Sequence, residues 1–327
     1  MKNYIISLLA GAAIFASSAS AEIVLTDDLS AYGYIDMSLQ DNENADRETA
    51  VAEFELGLSF APVDSKWSAV AEISFDNDSS ISITEDEAKL IEDKLQSGIE
   101  EEIVSAIFDS AQPNNSAEFE TVTITYAASD ELSFTAGNIL SYQGFETYDA
   151  TGLYQFSYAG LDGSPLYSAG YAVGACVDYV TDDYALGAWV GDTDSDEKSY
   201  EFLAAYTGIE GLTVKAILAD DPSYETTNIW ASYDYNAFTF AAEVVDTEYE
   251  NGDELDVMMA LVYYSFGDAG LTVRVTDGEY NGVDYEKLTI SPSYAFSDNV
   301  FGLIEVSSED LGSSEQDSFA AELIYSF

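Results

Sequence analysis

Glu146 and Asp149 stand three residues apart in a stretch rich in glycine and aromatic side chains, Gly144-Phe145-Glu146-Thr147-Tyr148-Asp149. Arg274 falls between Thr272 and Thr276 on one face of an alternating run. Carboxylates presented this way can attract cations, and a lone guanidinium nearby can pair with them. The same residues also admit a plainer reading, in which Arg274 pairs with a neighbour across its own strand. A third group, Asp192, Asp194 and Asp196 in the run DTDSDE, offers oxygen ligands for Ca²⁺ or Mg²⁺ but lacks the glycine and distal glutamate of an EF-hand loop. It reads either as a solvated turn or as a divalent bridge to lipid headgroups.

Catalysis has few means here. The chain has no histidine, so a Ser-His-Asp triad cannot be built and Cys176 has no imidazole to activate it. Neither a metal-ligand spacing nor a phosphate-cradling glycine loop appears, so no enzyme and no resident cofactor are expected. Sixty-two acidic residues against nine basic ones exclude an electrostatic nucleic-acid binder, which needs clustered Lys and Arg. Such a net charge suits a solvated surface in a salty medium or a role in transport. Hydrophobic content of 47% argues against disorder.

The elements that must position these groups begin after a secretory signal peptide over 1–21. Lys2 gives it a positive start, Ile5 to Phe15 an apolar stretch, and Ala19-Ser20-Ala21 a small-residue cleavage site. One cysteine cannot form an intrachain disulfide, so the exported chain needs another means of closure. Runs of about ten residues with period-two alternation supply it, the pattern of membrane strands. They fall near 29–39, 48–60, 67–76, 117–127, 131–140, 167–180, 183–191, 199–207, 211–219, 227–236, 238–246, 255–266, 271–278, 285–296, 299–307 and 317–327. The expected fold is an all-β, transmembrane, antiparallel up-and-down barrel of about sixteen strands over 22–327.

Connections alternate. Short turns such as Ser129-Asp130, Asn236-Ala237 and Ser297-Asp298 contrast with longer acidic loops at 40–47, 77–116, 141–166, 192–198, 220–226, 247–254, 279–284 and 308–316. That predicts periplasmic turns and termini, with the long loops outside. Aromatics near strand ends, among them Tyr32, Phe60, Trp67, Tyr235, Tyr263 and Phe296, read as interfacial girdles.

Two insertions interrupt the pattern. Residues 84–110 predict a helix in the second outer loop, opened by Thr84 and Glu87 as a capping box, with Ile91, Leu95, Ile99, Ile103 and Ile107 on one face. It packs against the barrel wall or rim, plugs the lumen, or latches onto a neighbouring subunit. The third outer loop, 141–166, is too aromatic to be freely solvated; folded inward, it sets Glu146 and Asp149 at a constriction, and packed on the rim it does not.

Strand parity assigns the lumen. Charges facing lipid near the midplane cost a few kcal/mol each, so the acids should mostly point inward. The inferred acidic wall is Asp36, Glu53, Glu55, Glu72, Glu201, Asp234, Glu243, Glu305 and Glu322, against Lys215, Arg274 and Lys287. Such a wall favours passive, cation-preferring diffusion of small hydrophilic solutes. A non-conducting barrel serving as adhesin or surface scaffold is the other reading of the same architecture.

The run AGNILSYQGFETYD at 136–149, the aromatic stretch with Tyr154, Phe156 and Tyr158, and SPLYSAGYAVGACVDYV at 164–180 resemble the β-barrel porins of the OmpL-like class. The overall plan also resembles the general trimeric porins, through strand number, an enlarged third loop and a C-terminal Phe. These resemblances imply the outer membrane of a Gram-negative-type bacterium, contact with its lipid, and a homotrimer. They also imply a third loop folded into the channel, and Tyr325 and Phe327 as part of the signal read by the barrel-assembly machinery. One departure stands out: general porins carry an arginine ladder on the wall, whereas after residue 21 this chain has only Arg47, Arg274 and six lysines.

Overall fold

The computed structural model describes residues 22–42, 48–77, 115–167, 170–193 and 197–327. The expected signal peptide and the helix at 84–110 lie outside them. A short strand, β1 (Ile23–Thr26), pairs with β2. The barrel itself comprises β2 (Leu29–Asn42), β3 (Glu48–Phe60), β4 (Trp67–Asn77), β5 (Asn115–Ala127), β6 (Leu132–Leu140), β7 (Tyr171–Val180), β8 (Tyr184–Asp192) and β9 (Lys198–Ile209). It continues through β10 (Leu212–Asp221), β11 (Tyr224–Tyr235), β12 (Phe238–Tyr249), β13 (Glu254–Phe266), β14 (Ala269–Tyr280), β15 (Val283–Ser297), β16 (Val300–Leu311) and β17 (Ser314–Ser326).

Each strand pairs antiparallel with the next, and β17 returns to β2 in a continuous ladder from Ser318↔Asn42 to Ser326↔Tyr34. Sixteen strands thus form a closed ring with no free edge, as the alternation predicts. At the seam Phe327 and Gly33 exchange two backbone hydrogen bonds of 2.9 Å. A Cβ on Gly33 would meet the Glu55 carbonyl oxygen at 2.2 Å and the Phe327 ring at 3.0 Å, so the closure requires glycine there.

Period-two alternation sorts the faces. On β14, Leu271, Val273 and Val275 expose 37–48% of their surface outward, while Thr272, Arg274 and Thr276 are at most 3% exposed inside. The same outward apolar band recurs at Val244, Met258, Leu288, Ile290, Ile304 and Val306. A continuous band of such side chains is untenable in water and stable in hydrocarbon, so the fold is a transmembrane barrel of the outer-membrane type. On β17, Phe319, Leu323 and Tyr325 face out and Ala320, Glu322 and Ile324 face in, as parity predicts.

Three expectations need correction. The loops expected at 220–226, 247–254, 279–284 and 308–316 are tight hairpins on longer strands. At Asn281-Gly282 both φ angles are positive, 53° and 71°, which suits the right-handed twist of the flanking strands. Acids expected in those loops belong instead to the ladder, where Glu225 pairs with Glu248 and Asp310 lies opposite Glu286. These acids face outward, against the expectation that charges would point mostly into the lumen; they sit beyond the apolar band, where water solvates them. Among the aromatics assigned to the girdles, Tyr32 and Tyr263 turn inward, where Tyr32 donates to Glu72 and the Tyr263 ring lies 4.8 Å from that of Tyr154.

Candidate pore constriction

The third loop leaves β6 at Leu140 and enters the lumen at once. Its apolar side chains pack on an inner wall that is itself apolar: Phe145 meets Trp230 edge-on at 5.5 Å, and Tyr142, Tyr154 and Leu166 share a cluster with Leu203, Ile217, Val245, Val257, Met259 and Leu261. Strand β13 is apolar on both faces, VMMALVYY at 257–264, because one face meets lipid and the other meets this loop. Burial of these rings draws the loop inward, and its polar backbone must then find partners on the wall.

Three wall carboxylates meet that need. Glu201 on β9 accepts from the Tyr142 amide at 2.7 Å, the Ser141 hydroxyl at 2.6 Å and the Gln143 side chain at 3.2 Å. Glu243 on β12 accepts from the Phe145 amide at 3.0 Å and from Asn228 at 2.7 Å, while Asn228 accepts from the Gly144 amide at 3.1 Å. Glu305 on β16 accepts from the Ser157 amide at 3.0 Å and its hydroxyl at 2.5 Å. Parity counts all three as lumen charge, and the structure uses them to anchor a loop. Asp178, which sequence reading missed, takes the Tyr142 hydroxyl at 2.6 Å and the Cys176 thiol at 3.3 Å.

Two of the basic wall residues bond the same loop. Arg274 pairs with Glu146 and also donates to the carbonyls of Ser157 at 2.7 Å and Tyr158 at 2.9 Å and to the Thr289 hydroxyl at 3.0 Å. Glu146 is completed by Gln155 at 2.7 Å and the Ala159 amide at 2.8 Å. Lys287, on the neighbouring strand, donates to the Tyr158 carbonyl at 3.0 Å and pairs with Glu309 at 3.3 Å. Lys215 lies 4.8 Å from the Trp230 ring centre. Of the two readings of Arg274, the geometry has the pairing with the third loop, with a strand neighbour, Thr289, as a further acceptor.

Across the lumen the wall is different. Strands β17 and β2 to β6 contain no Lys or Arg. Their inward side chains include Asp36, Glu53, Glu55, Glu72 and Glu322, and Glu120 joins them. Glu120 escapes a parity reading because β5 carries an extra residue against β4, between the pairs Ala71↔Val122 and Ile73↔Phe119. That bulge swings the glutamate inward. A second bulge, on β3 opposite Asp36 and Met37, lies beside Glu53. The loop closes the ring of acids, since Asp149 comes within hydrogen-bonding reach of Glu55, as Asp36 does of Glu322. The third loop therefore spans the lumen, held to the β9–β16 side by the Arg274–Glu146 ion pair and by hydrogen bonds, and facing the other side with a carboxylate.

The remaining sequence candidates are more peripheral. Asp234 has inward parity but sits exposed at the turn end of β11, where it accepts from Thr239 at 2.6 Å. Asp192 is exposed and paired with Lys198; Asp194 and Asp196 lie outside the described residues. A cavity of about 310 Å³ remains between the returning arm of the loop, at Leu161, Pro165 and Tyr167, and the wall at Leu255, Tyr280 and Tyr285.

No family model matches the chain, and no curated protein does. Solved structures do. OmpT of Vibrio cholerae, an outer-membrane protein, superposes with a TM-score of 0.65 at 13% identity over 94% of this chain and all of its own. An in-vitro folded trimer form of that protein gives 0.63 at 12% identity, over 91% of this chain and 99% of that one. A mutant of the Rhodopseudomonas blastica porin gives 0.61 at 15% identity over 91% of this chain and all of its own. The chain is an outer-membrane β-barrel. At these identities the likeness is one of fold, so the chemistry must be argued from this lumen's own residues.

Proposed function

We propose that this barrel is a passive diffusion channel of the outer membrane that prefers cations and carries small hydrophilic solutes and ions. The observation that carries the reading is the separation of charge inside the lumen. Arg274 and Lys287 bond the third loop and Lys215 is buried beside Trp230, whereas the wall from β17 to β5 has carboxylates as its only charged side chains. A passage between that wall and the loop would concentrate cations and repel anions, because a low-dielectric wall lets one sign of charge act at short range. Glu146, Asp149 and Arg274 then have separate roles: the Glu146–Arg274 pair fixes the loop and Asp149 lines the passage. Assembly as a homotrimer is part of the proposal, supported by the trimer form among the similar structures. So is insertion through the barrel-assembly machinery, supported by Tyr325 and Phe327 at the closing seam.

The test is conductance of the purified protein in planar bilayers under a KCl gradient. Discrete steps with a reversal potential on the cation side are expected; absence of steps overturns the channel, and an anion-side potential overturns the selectivity. The second reading, an occluded barrel used as scaffold or adhesin, draws on the dense packing of Tyr142, Phe145 and Tyr154 inside the wall. It predicts a silent membrane.

A further inference from the structure

Glu53 and Glu55 on β3 and Glu120 on β5 each place a carboxylate oxygen within 4.8 Å of the others. Oxygens so spaced can all lie about 2.4 Å from one cation, which is the Ca²⁺–oxygen distance. Glu55 is only 4% exposed, and its Oε2 has no hydrogen-bond partner among the described residues. Leaving an anionic oxygen buried and unpaired is costly, and the six surrounding strands hold no Lys or Arg that could relieve it. Ser74 supplies Glu53 with one hydroxyl at 3.0 Å, which orients that carboxylate without neutralising it.

We infer that Glu53, Glu55 and Glu120 form a binding site for a single divalent cation of Ca²⁺ type on the lumen wall, with water completing its coordination. The two bulges, at Asp36/Met37 opposite β3 and on β5, are what bring a residue of each strand to one point, since an unbulged ladder would turn Glu120 to the lipid side. Asp149 stands beside Glu55, so an ion held there also draws the crest of the third loop toward the wall. The site stands on its own geometry and does not depend on the channel conducting.

Equilibrium dialysis of ⁴⁵Ca²⁺ against the full-length barrel folded in detergent, at about 0.15 M NaCl to screen exposed carboxylates, tests it. One saturable site per chain is expected, weakened by about tenfold or more in Glu55→Gln and in Glu120→Gln, at least the loss that even outer-sphere partners of a metal cause. Glu225→Gln and Glu248→Gln remove the same charge from the outer belt and should leave that site unchanged. Folding of each variant is read from its heat-modifiable band, and if Glu55→Gln does not fold, the half-buried Glu120 carries the comparison. No saturable site, or equal weakening in all four variants, overturns the inference. A silent bilayer with calcium binding intact would sink the channel proposal alone.

Discussion

Glu146 of the third loop and Arg274 of β14 form an ion pair whose side chains are 3% and 0% exposed, 128 residues apart in sequence. A buried charge that keeps its partner and its hydrogen bonds is tolerated, and one that loses its partner is not. With the apolar cluster and the acceptors Glu201, Glu243 and Glu305, this pair is one of the contacts that hold the loop inside the barrel.

Removing Arg274 should release the loop. Arg274→Ala leaves Glu146 buried and uncompensated, at a cost of about 3–5 kcal/mol. Larger single-channel conductance and faster proteolytic nicking between 141 and 166 are expected; conductance and nicking like the parent's would refute the pair as a latch.

The anchoring acids and the facing acids should separate in experiment. Glu243→Ala strands the Phe145 amide and Asn228, so it should lower the thermal midpoint of the folded band by an energy of about 1–3 kcal/mol and leave the reversal potential unchanged. Glu72→Gln, on the opposite wall, should shift the reversal potential toward zero with little effect on stability. A reversed pattern would disprove the division of labour.

Closure at the seam should depend on Gly33. Gly33→Val places a Cβ against the Glu55 carbonyl and the Phe327 ring, so the β17–β2 ladder cannot seat and the heat-modifiable band should disappear. A folded, stable Gly33→Val protein would contradict the β17–β2 register.

The lipid band offers a positional test. Val275→Arg puts a cation into hydrocarbon and should cost about 2–4 kcal/mol if it lies near the midplane, whereas Glu279→Arg, on the same face of β14 beyond the band, should cost about 0–1. Denaturant titration in lipid vesicles reads the difference, and equal costs would rule out this placement of the membrane.

Some of the lumen is legible residue by residue. Parity places Arg274, Lys215, Lys287, Glu201, Glu243, Glu305 and Glu322 inside because a pleated strand turns alternate side chains to one face. Parity fails at Glu120, where a bulge resets the count, and it cannot say that Glu201, Glu243 and Glu305 are taken up by loop amides. One signal is available: strands such as β13, apolar on both faces, announce that something apolar packs within the barrel.

The sequence by itself determined the closed antiparallel barrel, its sixteen-strand ring and its outward band, because alternation is a local property that every strand must satisfy to meet lipid on one side. Only the tertiary structure decided which acids are anchors and which line the lumen. That depends on where one loop lies across the barrel, and partners such as Glu146 and Arg274 meet through space after the ring has closed.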